Sequence, residues 1–196
     1  MKHCILFFVW VLLMGEINVV LAQTTGKPQN NVISEVCIQS GKERIYGVLS
    51  KPEKKGIKQP VAIIAHGFNG THSFGKNYFS RLNRLGYQCY AFDFPCGSVN
   101  SRSNSNTLGM SVIDEQQHLE AVVRYFQSQP DVDAGRIVLI GESQGGLVSS
   151  LVAANSSMDI HRLILVFPAL CIPDNWNERY KHNRGAETRL YACAER

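Results

Sequence analysis

Residues 136–155, RIVLIGESQGGLVSSLVAAN, decide how the rest of the chain is read. The run from Arg136 to Gly141 is short, apolar and β-branched, as expected for a strand covered on both faces. From Gln144 onward the pattern changes period, and Leu147, Val148, Leu151 and Val152 fall on one face of a helix. Between the two lies Gly141-Glu142-Ser143-Gln144-Gly145, followed by Gly146. Such a turn lifts a serine hydroxyl above the sheet edge. Side chains two residues to either side would collide with the neighbouring strand and helix, hence the glycines. The helix N-terminus behind the serine favours negative charge nearby. Strand, G-x-S-x-G and helix together make Ser143 a candidate nucleophile; the bland alternative is a tightly packed glycine turn with a chance serine.

Working outward, Val61–His66 (VAIIAH) is a second buried-type strand, and RLILVFPAL (162–170) a third. YQCYAFDFP (87–95) reads as a further strand. Tyr78, Phe79, Leu82 and Leu85 recur at helical spacing, with Gly86 as a left-handed stop. Ser111 and Asp114 form a capping-box-like pair ahead of a helix striped with Ile113, Leu119, Val122, Val123 and Phe126. Near the start, VISEVCIQ and RIYGVLSKP form an antiparallel hairpin turning around Ser40–Glu43. A hairpin followed by alternating strands and helices predicts an α/β fold, a mostly parallel sheet with helices on both faces. The serine- and asparagine-rich stretch 98–107 reads as a solvated connector, or as a flank of a substrate entrance.

Length suits one domain, and 44% hydrophobic residues in 196 suffice for a core. Residues 1–22 have a basic start, the apolar run Ile5–Met14, and Val20 and Ala22 before a cut at Gln23, the pattern of a secretory signal peptide. The apolar run is shorter than the ~20 residues of a membrane span, so no stable membrane anchor is expected and the product is secreted or periplasmic. Residues 23–31 form a polar leader. Removing Lys2 and Glu16 together leaves the net charge at +4. No basic stripe with interleaved aromatics exists, so nucleic acid is not an expected partner. The cysteines lack CxxC or zinc spacing, so no metal and no cofactor is expected. They read as buried thiols in or beside strands, with one bridge at most.

His66-Gly67-Phe68-Asn69-Gly70 follows the Val61–His66 strand. Acyl transfer generates an oxyanion that two backbone N–H groups must face; Gln144, after the serine, and Phe68 in this loop are the expected donors. His66 is expected to brace the loop rather than act as base. The order HGF, FDFPCGS and GESQGG resembles the α/β-hydrolase superfamily, and more loosely bacterial secreted esterases of the feruloyl/cinnamoyl type, over about residues 32–175. The resemblance implies an α/β-hydrolase fold, Ser143 as nucleophile, Phe68 and Gln144 as oxyanion donors, Asp93 as a loop-bracing residue, and a small-molecule ester substrate, with a plant-derived aromatic ester as one option.

In that superfamily the acid and then the histidine follow the serine. After Leu170 comes CIPDNWNERYKHNRGAETRLYACAER, whereas two more strand–helix units would take roughly 60 residues at about 30 each. The fold is therefore expected to be truncated after the strand at 162–168, with an incomplete hydrolase domain at 32–180 and an atypical tail at 181–196. Asp174 and His182 are the remaining candidates for acid and base. His72, His118 and His161 do not fall where the base belongs. The expected function is a serine ester hydrolase with impaired activity. A serine peptidase of the prolyl-oligopeptidase type, and a non-catalytic fragment or binding module on the same scaffold, are the alternatives. Asn69-Gly-Thr and Asn155-Ser-Ser match the glycosylation pattern; a glycan on Asn69 would crowd the Phe68 loop.

Overall fold

The structure is a computed structural model that describes residues 31–53, 56–155 and 157–171. The expected signal peptide, most of the leader and the tail, with Asp174 and His182, lie outside the described residues. Six strands, β1 (Asn31–Ser40), β2 (Glu43–Pro52), β3 (Gln59–Ala65), β4 (Gln88–Phe92), β5 (Val132–Glu142) and β6 (Arg162–Val166), form one sheet in the order β1-β2-β4-β3-β5-β6. The hairpin β1–β2 is antiparallel, and β2 joins β4 antiparallel. The β4, β3, β5 and β6 neighbours run parallel. Strand β1 begins at Asn31, one residue inside the expected leader.

The pleat divides the core in two. Val61, Ile63 and Ala65 of β3 face one side with Leu119, Val122, Phe126, Val148 and Val152. Those partners belong to α2 (Val112–Gln127) and α3 (Gln144–Ala154). Ala62 and Ile64 face the other side, against Phe79 of α1 (His72–Arg84). Apolar runs rather than alternation mark these strands because both faces are covered.

The helix ends follow local chemistry. Thr71 and Ser111 cap α1 and α2, their side chains accepting from the N–H groups of Ser73 and Asp114. Leu85 closes α1 and Gly86 follows at φ 89°, where a side chain would be strained. Two residues assigned to the apolar stripes, Leu85 and Ile113, are exposed at helix ends.

The chain leaves β3 through α1 to reach β4 on one side, then returns through α2 to β5 on the other. Connections diverge there, which opens a crevice at the C-terminal ends of β3 and β5. No helix of the described residues is long and apolar enough to cross a membrane.

Strand β6 lies partly open, as expected of a buried-type strand with no further strand beside it among the described residues. Leu163, Ile164 and Leu165 are 37%, 46% and 37% exposed, although their sequence is that of a buried strand. Only β5 pairs with β6 among the described residues. The cysteine expectation needs correction: Cys89 is buried, Cys96 is half-buried, and Cys37 and Cys171 are exposed. Cys37, Cys89 and Cys96 are in no disulfide.

Candidate active site

Register builds the site. Ala65 of β3 lies beside Gly141 of β5, so the residues that follow each strand, 66–70 and 142–145, emerge side by side in the crevice. Ser143 sits at φ 49° and ψ −115°, a left-handed backbone that costs a non-glycine residue about 1–3 kcal/mol. Its surroundings hold it there. The Ser143 N–H donates to the Val166 carbonyl at 3.0 Å, and its own carbonyl accepts from Ala169 at 2.8 Å and from Gly146 at 3.0 Å. The end of β6 therefore clamps the elbow.

Close approach explains the glycines. A Cβ on Gly145 would lie 2.4 Å from the His66 carbonyl oxygen, and one on Gly141 would lie 2.4 Å from the Gly145 carbonyl oxygen. Both are impossible contacts with backbone, so α3 can start this near β3 only with glycine here. Across the crevice, a Cβ on Gly67 would meet the Ser143 Cβ at 3.0 Å and its Oγ at 3.7 Å. The loop and the serine are in direct apposition. Among the described residues, the main-chain hydrogen bonds of this region use the N–H groups of Ser143, Asn69, Gly70, Gly146, Leu147 and Ala169, and leave those of Phe68 and Gln144 out. Gln144 is the first residue of α3, where an N–H has no partner within the helix.

The loop is braced from below. His66 is buried; its Nε2 accepts from the Phe94 N–H at 3.1 Å and its Nδ1 lies 2.7 Å from the Gly67 carbonyl. Acceptance at Nε2 requires the neutral tautomer with hydrogen on Nδ1. Burial pushes the imidazole below its ordinary pKa, which favours the same form. Asn69 adopts φ 56°; its N–H donates to Gly97, and its amide oxygen accepts from Ser98 and Val99. Asp93 is fully buried and ties His72 to the loop. One oxygen accepts from the His72 N–H at 2.6 Å and faces Nδ1 at 2.8 Å, and the other accepts from the Arg102 N–H at 2.8 Å.

The stretch 98–107 is pinned rather than merely solvated. Ser103 donates to the Asp93 carbonyl at 2.6 Å and accepts from Tyr46 at 2.8 Å. Arg102 hydrogen-bonds the Tyr46 hydroxyl, lies over its ring at 3.8 Å and pairs with Glu35 at 2.9 Å.

The structure thus brings Ser143 against Gly67, the residue before Phe68, with Gln144 next in the chain. Among the described residues no side chain hydrogen-bonds the Ser143 hydroxyl. His66 and His72 are committed elsewhere, and His118 is buried in α2 with its Nδ1 unpartnered. Sequence reasoning missed Glu115. It is 2% exposed, and its carboxylate accepts from the Gln144 side-chain amide at 2.7 Å. Burial pushes its carboxyl up to about 7; the Gln144 hydrogen bond acts the opposite way, and Asp114 adds to the rise. The signal was available: Glu115, Leu119, Val122 and Phe126 share one face at helical spacing.

A mostly parallel sheet sandwiched by helices, with a left-handed serine elbow facing a second loop at the strand ends, defines an α/β hydrolase. The chain belongs to the family described as serine aminopeptidase, S33, whose model matches residues 57–191. Among curated relatives it is 33% identical over 108 residues to "Putative esterase/lipase 2" of Mycoplasma pneumoniae, covering 54% of this chain and 37% of that protein. It is 28% identical over 139 residues to the quorum-quenching protein AidA of Acinetobacter baumannii, covering 67% of this chain and 44% of the relative. Est1E of Butyrivibrio proteoclasticus, solved with ferulic acid bound, is similar at 27% identity and a TM-score of 0.62, over 71% of this chain and 55% of Est1E. The chain therefore spans less than half the length of these curated relatives.

Proposed function

We propose that this chain acts on carboxylic esters through Ser143. The observation that carries the reading is the apposition of the strained Ser143 elbow with the Gly67–Phe68 loop at the C-terminal ends of adjacent parallel strands. In this reading the Ser143 Oγ bonds to the ester carbonyl carbon, and the carbonyl electrons move to oxygen. The N–H groups of Phe68 and Gln144 stabilise that oxyanion. The carbonyl re-forms as the alkoxy group leaves as the alcohol, taking up the proton lost by the serine. Water then attacks the acyl-serine, releases the acid and returns the proton to Ser143.

Among the described residues no side chain hydrogen-bonds the Ser143 hydroxyl as a base would, His66 and His72 having other partners. Asp174 and His182 remain the candidates for acid and base. Without such a partner, turnover falls by up to about a million-fold, leaving roughly 10³–10⁴ over water. We therefore expect slow turnover from this chain. The bound ferulic acid of Est1E, together with Phe68 at 64% exposed in the loop that faces the serine, supports an aromatic acyl ester as substrate. The signal-peptide pattern at 1–22 supports export, to the exterior or the periplasm.

The family's description favours a second reading, an aminopeptidase. Hydrolysis of p-nitrophenyl acetate, of methyl ferulate and of an aminoacyl p-nitroanilide, each compared with Ser143→Ala, tests both. Slow Ser143-dependent cleavage of the esters alone is expected. Cleavage of the anilide alone would replace the ester reading with the peptidase one. Equal rates for wild type and Ser143→Ala would overturn both.

A further inference from the structure

Glu115 has no part in bond making, yet it is a buried carboxyl whose Oε2 lies 2.7 Å from Nε2 of Gln144. Gln144 follows the serine, and its main-chain N–H is one of the two oxyanion donors in the reading above. The other Glu115 oxygen, Oε1, is 3.2 Å from the point a Cβ on Gly97 would occupy, and the His66 Cε1 is 3.3 Å from that point. The Gly97 carbonyl accepts from Asn69, the neighbour of Phe68. Glu115 therefore touches the residue bearing one donor and packs beside Gly97, whose carbonyl holds the loop that carries the other.

We propose that Glu115 is a positioning residue of the oxyanion site, holding the Gln144 side chain so that the Gln144 main-chain N–H keeps its aim. This rests on the assignment of Ser143 as nucleophile. A rotating glutamine amide at the first residue of α3 would let the helix start fray, and among the described residues the other partner of its Nε2 is the Met110 sulfur at 3.5 Å, a weak acceptor. A carboxyl oxygen accepts from that amide whether or not the group is ionised. Ionisation, however, places a negative charge beside the forming oxyanion, which opposes it. The neutral form thus does the positioning without the repulsion, and burial favours that form at pH values up to about 7.

The charged and titratable groups around it are Asp114 and His118 on α2, Cys96 in the loop after β4, and His66 after β3. The first turn of α3 contributes no acid.

The test is the second-order rate at which a fluorophosphonate labels the full chain, from pH 5 to pH 9, for wild type, Glu115→Gln, Glu115→Ala and Ser143→Ala. In this reaction the serine oxygen bonds to phosphorus, fluoride leaves, and the phosphoryl oxygen occupies the oxyanion site. The ratio of variant to wild-type rates removes every other titrating group. Glu115→Gln retains an acceptor without charge; its rate should equal wild type below pH 6 and exceed it by about tenfold above pH 8. Glu115→Ala should be slower by about tenfold or more at all pH values. Rates for the glutamine variant that track wild type throughout, or an alanine variant with wild-type rates, would overturn the proposal while leaving Ser143 in place. Absence of labelling in wild type, or labelling that persists in Ser143→Ala, would overturn the nucleophile assignment and the proposal with it.

Discussion

Strands β5 and β6 are hydrogen-bonded neighbours with Leu139 beside Leu163, yet Leu139 is fully buried and Leu163 is 37% exposed. Their sequences, RIVLI and RLILV, are nearly interchangeable in hydrophobic pattern. Composition states what a strand can tolerate, whereas neighbours decide what it buries. β5 lies between β3 and β6 under α2 and α3. β6 has β5 on one side and, among the described residues, no strand on the other. The Ser143 elbow hangs between the two regions: Gly145 packs on the β3 side, while Gly146 packs on Pro168 and the elbow backbone is clamped by the chain leaving β6.

The strongest way to break this contrast is truncation at paired positions. Leu139→Ala should destabilise by about 4 kcal/mol and Leu163→Ala by less than about 1 kcal/mol, read from urea unfolding midpoints. Equal losses would mean that β6 is as buried as β5. The elbow offers a second pair. In Gly145→Ala the new methyl meets backbone of Ala65 and His66 at 2.5 and 2.4 Å, whereas in Gly146→Ala the overlaps are shallower, with Pro168 Cβ and Cα at 2.9 and 3.0 Å and the Gly141 carbonyl oxygen at 3.1 Å. We expect a loss of about 3 kcal/mol for the first and about 1 kcal/mol for the second, because the second needs shifts of only a few tenths of an ångström.

A pH-dependent effect comes next. The Glu115 carboxyl lies at about 7 in the folded chain against 4.5 for the unperturbed group. Between those values a rising pH takes the proton from the unfolded chain first, so this group lowers stability through the window and the loss is complete above it. Glu115→Gln lacks that loss. Its stability should match wild type near pH 4 and exceed it by at most about 3 kcal/mol at pH 8, measured by thermal unfolding at the two pH values. The smallest effect belongs to the exposed strand: Ile164→Lys should change stability by less than about 0.5 kcal/mol while reducing self-association in light scattering.

Much of this was legible in the amino-acid order. The glycines at 141, 145 and 146, the helical period after them and the buried-type runs at 61–66 and 136–141 each report local sterics or two-sided burial, which sequence records directly. His66 was legible as a brace because a buried polar group at a strand end must find partners, and Asp93 was read as one through the family resemblance. Exposure of β6 was not legible in the strand's own residues, since it depends on what lies beside the strand; it follows only from the expected truncation after 162–168. Glu115 was overlooked because a glutamate near a helix start reads as a dipole-matched surface residue; only its spacing with Leu119 and Val122 places it inward. The serines of 98–107 read as solvent-facing because their hydrogen bonds reach Asp93, Phe94 and Tyr46, contacts that arise only from folding.

The most direct test of the central claim is the site of fluorophosphonate modification, mapped by mass spectrometry of peptides from the labelled full chain. The account predicts one adduct per chain, on Ser143, and none in Ser143→Ala. An adduct on another residue, or an unmodified Ser143 in a folded protein, would contradict it.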